Sequence, residues 1–224
     1  MKSWRSREAA MRYRARFRAE KIGPRYRGWL HFSFTSAASM AIIAFALSRT
    51  EAVTAAQWLA VPLSFVIANA AEYFGHRGPM HHLRRRAEVL FARHTREHHR
   101  FFTAAAMSCE SPRDFKIMLF PPEMLLFFLG LIAAPIGALL FVIADPNVAW
   151  LFVATAMAYF LTYEWLHFCY HLPPESAIGS IGLVKVLRRH HAAHHDPALM
   201  ARWNFNITFP IFDRVMGTTY RGKD

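Results

Sequence analysis

The sequence predicts an all-α integral membrane protein with four transmembrane helices in two hairpins and a cytoplasmic, histidine-rich helical cap. Three observations predict this class: long uncharged apolar blocks, an uneven distribution of positive charge, and two groups of six histidines. Hydrophobic residues make up 54% of the 224 residues, and 20 of them are Phe. A net charge of +12 would usually suggest nucleic acid or an anionic membrane as the partner, and the distribution of that charge favours the membrane.

Four apolar stretches have about the length of 20 residues that a helix needs to cross the hydrocarbon core of a bilayer. They lie at about 29–47, 53–74, 117–143 and 148–168. The connections at 48–52 and 144–147 are short, which predicts two tight helical hairpins. The third stretch contains Pro121, Pro122 and Pro135, so we expect a kink or an interfacial portion there.

Positive charge is concentrated on one predicted side of the membrane. Ten Lys and Arg precede the first stretch, nine lie between the second and third, and seven follow the fourth. Arg49 alone falls in a loop on the opposite side. The positive-inside rule assigns the charged side to the cytoplasm, together with both chain termini and a cap formed by 76–116 and 169–224.

Two segments are predicted along the chain, a basic N-terminal segment at 1–28 and a membrane domain at 29–224. Arginines alternate with aromatic residues in the basic segment, which is typical of a helix lying on anionic headgroups. The segment does not have the apolar region of a signal peptide. Cys109 and Cys169 are the only cysteines and form no C-x-x-C motif, which suits a reducing cytoplasm and predicts no iron–sulfur centre.

Ten histidines form four motifs whose spacings suit metal ligation. In chain order the motifs are H-x4-H, H-x3-HH, H-x3-H and H-x2-HH, and their members are His76, His81, His94, His98, His99, His167, His171, His191, His194 and His195. Neutral imidazole is the commonest protein metal ligand, and ten imidazoles are about right for two ions. Nitrogen ligands without thiolates favour iron that reacts with dioxygen, and zinc and copper remain open.

The spacings also suggest which histidines act together. His94 and His98 share a helical face at i and i+4, whereas His99 points about 100° further round and can reach a second ion. The i, i+5 pair His76 and His81 diverges on an α-helix, so we expect a helix end followed by a turn. The motif near the C-terminus is expected to converge on one face. Four acids are candidate partners of imidazole N–H groups, namely Glu72, Glu97, Glu164 and Asp196.

The four motifs, in this order on a four-span frame, resemble the fatty acid hydroxylase superfamily of membrane di-iron enzymes. The resemblance extends over about 71–220 and includes R-D-F-K-I-M-L-F-P-P (113–122), R-R-H-H-A-A-H-H (188–195) and N-F-N-I-T-F-P-I-F-D-R-V-M-G-T (204–218). The first two segments resemble the fatty acyl 2-hydroxylase branch. The second motif departs from that branch, which typically has H-x2-HH, and the chain has no fused cytochrome b5 domain.

The resemblance implies a lipid hydroxylase in which the ten histidines hold two iron ions and use O2. Either His82 or His190 could replace a neighbour, and the superfamily spacings favour His81 and His191. Two electrons would come from an external carrier, ferredoxin-like or cytochrome b5-like, and its reductase, because the sequence has no dinucleotide or flavin motif. The expected partners are therefore a lipid, this carrier and a membrane, without nucleic acid; composition favours a bacterial inner membrane.

Two other functions are open at this point. A lipid or sterol desaturase would use the same di-metal site, because the outcome depends on substrate placement rather than on ligand spacing. A metal transporter or sensor would bind the ions reversibly. The predicted spans hold hardly any ionisable residues, which argues against an ion pathway through the membrane.

Overall fold

The computed structural model describes residues 6–222, so residues 1–5 of the predicted basic segment lie outside the described part of the chain. Within that part the chain forms helices and loops, with one isolated β-bridge between Thr103 and Ala106. The α-helices are α1 (Arg7–Lys21), α2 (Gly28–Ser48), α3 (Ala60–Gly75), α4 (Glu88–Phe91), α5 (His99–Phe101), α6 (Phe115–Met118), α7 (Glu123–Phe128), α8 (Ala134–Ile143), α9 (Pro146–Tyr170), α10 (Gly182–His194) and α11 (Ile211–Val215). The predicted all-α class is therefore confirmed.

Within residues 6–222, five short helical turns of other kinds accompany these helices. Two are 3-10 turns, at Gln57–Leu59 and Pro112–Asp114. Three are π-helical turns, at His76–Met80, Ala92–His98 and Leu129–Ala133. A π-helical turn takes one more residue than an α-helical turn, and such turns are frequent at functional sites.

The chain divides into two compact units. The first unit comprises Met1–Gly28, Asn69–Leu119 and Trp165–Asp224, and the second comprises Trp29–Ala68 and Phe120–Glu164. Three of the boundaries between segments of the two units are at Asn69, Leu119 and Trp165. Each of these residues lies within one of the apolar stretches predicted from the sequence. All ten histidines of the motifs lie in the first unit.

The second unit consists of apolar helices with exposed apolar side chains. One of its cores joins Leu125 and Ala133 to Met157 and Phe160 of α9. Many other apolar side chains of this unit face outward, and Val142 is 82% exposed. A helix that is apolar on all sides needs an apolar environment, such as a protein core or a bilayer.

Two segments of the described chain are long and apolar enough to cross a membrane, Gly28–Ser48 and Pro112–Ile143. They correspond to the first and third predicted spans. The expected interruption of the third is present, because Pro121 and Pro122 fall between α6 and α7. The other two predicted spans do not meet the same criteria: α3 has only 16 residues, and α9 contains Trp, Tyr, Thr and Glu side chains that lower its hydropathy.

The predicted start of the second span at residue 53 was wrong, since α3 begins only at Ala60. Polar side chains in the preceding loop account for the difference. The backbone N–H of Thr54 donates to Gln57 Oε1 at 2.8 Å, and the N–H of Glu51 donates to Asn147 Oδ1 at 2.9 Å. These hydrogen bonds satisfy backbone groups that would otherwise need a helix.

The N-terminal helix α1 packs into the first unit. The Ser6 hydroxyl accepts a hydrogen bond from the N–H of Ala9 and caps the helix. Ala10, Arg14 and Phe17 lie on one face and are buried. The predicted basic helix is therefore present, but one of its arginines points into the protein rather than towards solvent or headgroups.

Candidate metal centre

The ten histidines of the motifs come from helix ends and π-helical turns of the first unit. The first motif spans the turn His76–Met80, and the second spans the turn Ala92–His98 and the start of α5. The third motif lies at the end of α9, and the fourth at the end of α10. Each of these ten side chains is buried, with no more than 9% of its surface exposed. Ten imidazoles in a protein interior need either hydrogen-bond partners or an ion.

The ring nitrogens divide into two clusters of five, and within each cluster one nitrogen from every ring lies within 4.8 Å of the others. The first histidine cluster consists of His76, His81, His94, His99 and His194. The second histidine cluster consists of His98, His167, His171, His191 and His195. Neither His82 nor His190 belongs to a cluster, because His82 Nδ1 bonds the carbonyl of Arg77 and His190 Nε2 bonds the Asp213 carboxylate.

The predicted pairing of His94 with His98 was wrong, because His94 lies in the first cluster and His98 in the second. The π-helical turn explains the difference. Its hydrogen bonds join residues i and i+5, so residues five apart return to the same face. His94 and His99 are five apart across one such turn, and His76 and His81 are five apart across the other. Both i, i+5 pairs therefore meet in the first cluster instead of diverging.

The α-helical parts of the site follow the ordinary i, i+4 rule. His167 and His171 share the second cluster, and so do His191 and His195. His194 joins the first cluster, so the expected convergence of all three histidines of the fourth motif was wrong. Consecutive residues point about 100° apart on a helix, which allows the end of α10 to supply both clusters.

Backbone carbonyl groups fix at least five of the imidazole rings. In the first cluster the Nδ1 atoms of two rings bond carbonyls: His76 with Phe205 O and His194 with Trp203 O at 2.9 Å. In the second cluster His98 bonds Ile117 O at 3.0 Å, His171 bonds Met107 O at 2.8 Å and His195 bonds Phe102 O, and His167 has a backbone partner at Met118. A carbonyl can only accept a hydrogen bond, so the single proton of each neutral ring is on Nδ1 and its Nε2 carries a lone pair.

The lone pairs of the first cluster point at one another. The Nε2 atom of His81 lies 3.1 Å from that of His76 and 2.9 Å from that of His194. The neutral ring of His81 carries one proton, which could form a hydrogen bond in only one of these two contacts. The Thr95 hydroxyl is a further acceptor for the same proton. The Thr95 hydroxyl donates to Met80 O, so it can accept from His81 Nδ1 at 3.3 Å. Lone pairs at such distances repel unless a cation lies among them.

The second cluster has the same arrangement around His191. Its Nε2 atom lies 3.3 Å from His171 Nε2 and 2.9 Å from His195 Nε2, and both of these rings carry their proton on Nδ1. The buried Nε2 atom of His98 has no hydrogen-bond partner within the described residues. A buried nitrogen with a lone pair and no donor is costly in a protein interior. The donor set of each cluster therefore fits a metal ion.

Burial keeps these rings neutral. It lowers the pKa of His76 to about 4 and the pKa of His98 to about 3. Burial also lowers the pKa of His194, and the neighbouring His76 ring lowers that pKa further. Neutral imidazole is the ligating form, so an ion would not have to displace protons at physiological pH.

The chain segment 204–218 is named the closing segment here. It contains Phe205, whose carbonyl fixes His76, and it directly follows Trp203, whose carbonyl fixes His194. Asn204 lies between the carbonyls of Trp203 and Phe205 and adopts a left-handed conformation with φ 58°. Asn tolerates this conformation better than most residues. Its side chain donates to His190 O at 2.8 Å and accepts from the N–H of Tyr220 at 2.7 Å, which holds the chain reversal in place.

Two carboxylates accept hydrogen bonds from backbone N–H groups of the closing segment and hold it in place. Asp213 is fully buried and accepts from the N–H groups of Phe205 and Asn206 at 2.9 and 2.8 Å. Burial alone would raise its pKa, but hydrogen bonds from His190, Phe205 and other donors hold the pKa below the ordinary value. Glu72 of α3 accepts from the N–H groups of Ile207 and Thr208. Both acids therefore act on the backbone that orients the first cluster.

Three of the four acids that were predicted to accept from imidazole N–H groups accept hydrogen bonds from backbone N–H groups. Glu72 bonds the closing segment, Glu164 accepts from the N–H of Phe120, and Asp196 accepts from the N–H of Ala198. Backbone carbonyls accept from the imidazole N–H groups of His76, His98, His171, His194 and His195. The sequence carries no local signal for these carbonyls, because they belong to residues far along the chain.

Two of three comparisons with known proteins found a similar family or fold. A profile of the fatty acid hydroxylase family matches residues 61–218. Among solved structures, full-length Scs7p, of which only the hydroxylase domain is visible, aligns with a TM-score of 0.58 at 20% identity. The alignment covers 87% of this chain and 67% of that chain, and it shows a shared fold. A comparison with curated protein sequences found no match.

Proposed function

Because the chain belongs to the fatty acid hydroxylase family, we propose that it is a membrane-bound, non-haem di-iron oxygenase that hydroxylates a lipid. The observation that carries the proposal is the pair of five-nitrogen clusters buried in the first unit. Family membership supports a lipid hydroxylase, and the nitrogen-only donor sets support iron as the metal. The finer assignments below follow from these two points.

Each cluster would hold one iron ion through Nε2 atoms. The proposed ligands are His76, His81, His94, His99 and His194 for one ion and His98, His167, His171, His191 and His195 for the other. Bound iron would supply the oxidising chemistry: with O2, two external electrons and two protons, one oxygen atom would enter a C–H bond of the lipid and the other would leave as water. The protein contributes neutral imidazoles whose lone pairs are already aimed, which lowers the cost of ordering the ligands.

The substrate is expected to be an acyl chain, a sterol or a related lipid that reaches the site from the bilayer. Exposed apolar helices of the second unit support this choice, because they would lie among lipid chains. The predicted topology has four spans in two hairpins and both termini in the cytoplasm, with 1–28 as a basic segment before a hydroxylase domain at 29–224. A bacterial inner membrane fits this arrangement and its excess of cytoplasmic Lys and Arg.

The electrons would come from a separate carrier, ferredoxin-like or cytochrome b5-like, served by its reductase. Such carriers are commonly acidic, and this chain has a net charge of +12, so electrostatic attraction would speed their association. We expect the rate of electron transfer to fall as the ionic strength rises from about 10 to 500 mM. A rate that is independent of ionic strength would contradict this part of the proposal.

Lipid mass spectrometry on cells tests the reaction directly. Cells expressing the wild type are compared with cells expressing His98→Ala/His99→Ala, which removes one nitrogen from each cluster. His82→Ala is the matched control, because this histidine lies outside both clusters. A lipid that gains one oxygen with the wild type and the control, but not with the double variant, supports hydroxylation and identifies the substrate.

The same measurement separates the alternative reactions. A lipid that loses two hydrogens instead would make the protein a desaturase with the same metal centre. Identical lipids in all three strains, with folded protein and a competent electron donor present, would contradict the proposed activity. Uptake of zinc by vesicles containing the pure protein would favour a transporter.

A further inference from the structure

We propose that Arg14, in the N-terminal helix α1, is a positioning residue for the second histidine cluster. Its guanidinium fixes the loop 101–108, named the carbonyl loop here, whose backbone oxygens orient His171 and His195. The inference rests on metal binding by the second cluster, as in the proposed function. It assigns to α1 a role in the metal centre, in place of a role only at the membrane surface.

Arg14 differs from the other arginines of α1 in its burial and its partners. It is 1% exposed, whereas the side chains of Arg12 and Arg16 are 65% and 63% exposed. Its Nε donates to Phe101 O at 2.7 Å, its Nη1 to Ser108 O at 2.9 Å, and its Nη2 to Ala106 O. One side chain thereby gathers three carbonyls from both ends of the carbonyl loop.

The three carbonyls that Arg14 binds are next to the two that hold imidazoles. Phe101 precedes Phe102, whose carbonyl bonds His195 Nδ1. Ala106 and Ser108 flank Met107, whose carbonyl bonds His171 Nδ1 at 2.8 Å. Because each peptide group is a rigid plane and adjacent planes are joined by only two soft dihedrals, fixing one carbonyl limits the direction of the next. Arg14 therefore restricts the two oxygens that aim two lone pairs of the second cluster.

The burial of a guanidinium indicates that its three carbonyl contacts are needed there. The nearest carboxylate oxygen, from Glu110, lies 3.7 Å from Nη1, so backbone oxygens satisfy most of the donors. The planar fork of Arg presents several N–H groups at fixed angles, which a Lys ammonium cannot reproduce. The rings of Phe101 and Phe102 lie 5.0 and 5.1 Å from the guanidinium carbon and enclose it further.

Arg18 provides a useful contrast on the same helix. Its Nε and Nη2 donate to the two carboxylate oxygens of Asp114 at 2.7 and 2.8 Å, so it anchors α1 to the turn at Pro112–Asp114. It makes no described hydrogen bond to the carbonyl loop. Loss of Arg18 should therefore weaken the docking of α1 without directly freeing the carbonyls that orient His171 and His195.

The test counts bound iron in the full-length protein purified in detergent and loaded with Fe(II) without oxygen. Wild type and the exposed-site control Arg12→Gln are expected to bind two ions per chain. Arg14→Ala and Arg14→Lys should bind one ion normally and the other about 10- to 100-fold more weakly, as is typical when a partner of a ligand is removed. Arg18→Gln should retain both ions.

Double variants assign the weakened ion to a cluster. Arg14→Ala combined with His191→Ala should bind as many ions as His191→Ala alone, because both changes affect the second cluster. Arg14→Ala combined with His81→Ala should lose affinity at both clusters. Added methylguanidinium should restore the second ion in Arg14→Ala but not in His191→Ala, and this rescue also distinguishes positioning from misfolding.

Two results would overturn the inference in distinguishable ways. Wild-type affinity for both ions in Arg14→Ala and Arg14→Lys would contradict the positioning role and leave the proposed function intact. A wild-type protein that binds no iron would contradict the metal centre itself, and with it the role of Arg14. Equal weakening of both ions in Arg14→Ala, without methylguanidinium rescue, would indicate a general structural role and also reject the inference.

Discussion

The two histidine clusters meet the same requirement with supports of opposite charge. In each cluster a central imidazole, His81 or His191, faces two rings that backbone carbonyls hold by Nδ1. The carbonyls of the first cluster adjoin the closing segment, where the Asp213 carboxylate accepts from backbone N–H groups. Those that hold His171 and His195 belong to the carbonyl loop, where the Arg14 guanidinium donates to backbone C=O groups.

In both clusters, therefore, the orientation of the imidazole rings depends on backbone carbonyls. Buried charged side chains hold the peptide groups of those carbonyls in place. A carbonyl that orients an imidazole is itself free to tilt unless its peptide group is fixed. An anion can fix the peptide through its N–H groups, and a cation can fix it through its C=O groups. Either charge is stable in the interior only when its hydrogen bonds are satisfied, which ties each support to one local backbone conformation.

The largest expected effect comes from removing a central ligand, which tests whether the clusters are separate ion sites. His81→Ala and His191→Ala should each lose one of two iron ions, and each should lower lipid hydroxylation below detection, because O2 activation would need both ions. Iron analysis and product analysis on the same samples check this. The control is His82→Ala, which removes a histidine outside both clusters whose Nδ1 bonds the carbonyl of Arg77. Loss of both ions from either single variant would show that the clusters are not independent.

A smaller effect is expected from Asp213→Asn, which places an amide where backbone N–H groups need an acceptor. The free energy of unfolding should fall by about 1–3 kcal/mol, the usual cost of leaving buried polar groups unsatisfied. The affinity of the first cluster for iron should fall about 10- to 100-fold while that of the second is unchanged. Chemical denaturation and iron titration measure the two effects.

Asp196→Asn is the matched control for this change, because Asp196 follows His195 but caps only the turn at Ala198. Combination of Asp213→Asn with Arg14→Ala should weaken both ions, since the two supports act on different clusters. If Asp213→Asn weakened the second ion instead, the assignment of one support to each cluster would be wrong.

The smallest expected effect concerns the chain reversal at Asn204, whose φ is positive. Asn204→Ala should destabilise the protein by about 1–2 kcal/mol from backbone strain alone, and Asn204→Gly should avoid that strain. Both variants lose the side-chain bonds to His190 and Tyr220, so both should weaken iron binding at the first cluster. Equal stability of the two variants in thermal unfolding would contradict a strained conformation at this position.

The sequence predicts the identity of the histidines better than their arrangement. Their spacing marks all ten of the residues that the structure places in the two clusters. Their division between clusters depends on two π-helical turns, and the extra residue of such a turn leaves no separate mark in an i, i+4 pattern. For this reason His94 and His98 looked like a pair, although they lie in different clusters.

The supports of the clusters were not predictable for a different reason, the distance along the chain. His76 meets the carbonyl of Phe205, 129 residues away, and His195 meets that of Phe102, 93 residues away. A carbonyl is present at every residue, so no residue type marks it. In the sequence Arg14 looks like one of many basic residues of α1, and in the structure its burial and its carbonyl partners separate it from Arg12 and Arg16.

The most direct test of the metal centre is an experimental structure of the iron-loaded protein with data at the iron absorption edge. We expect two anomalous peaks per chain, one among the Nε2 atoms of the first histidine cluster and one among those of the second. A single peak, or iron located outside the clusters, would contradict the di-iron centre on which the proposed hydroxylation depends.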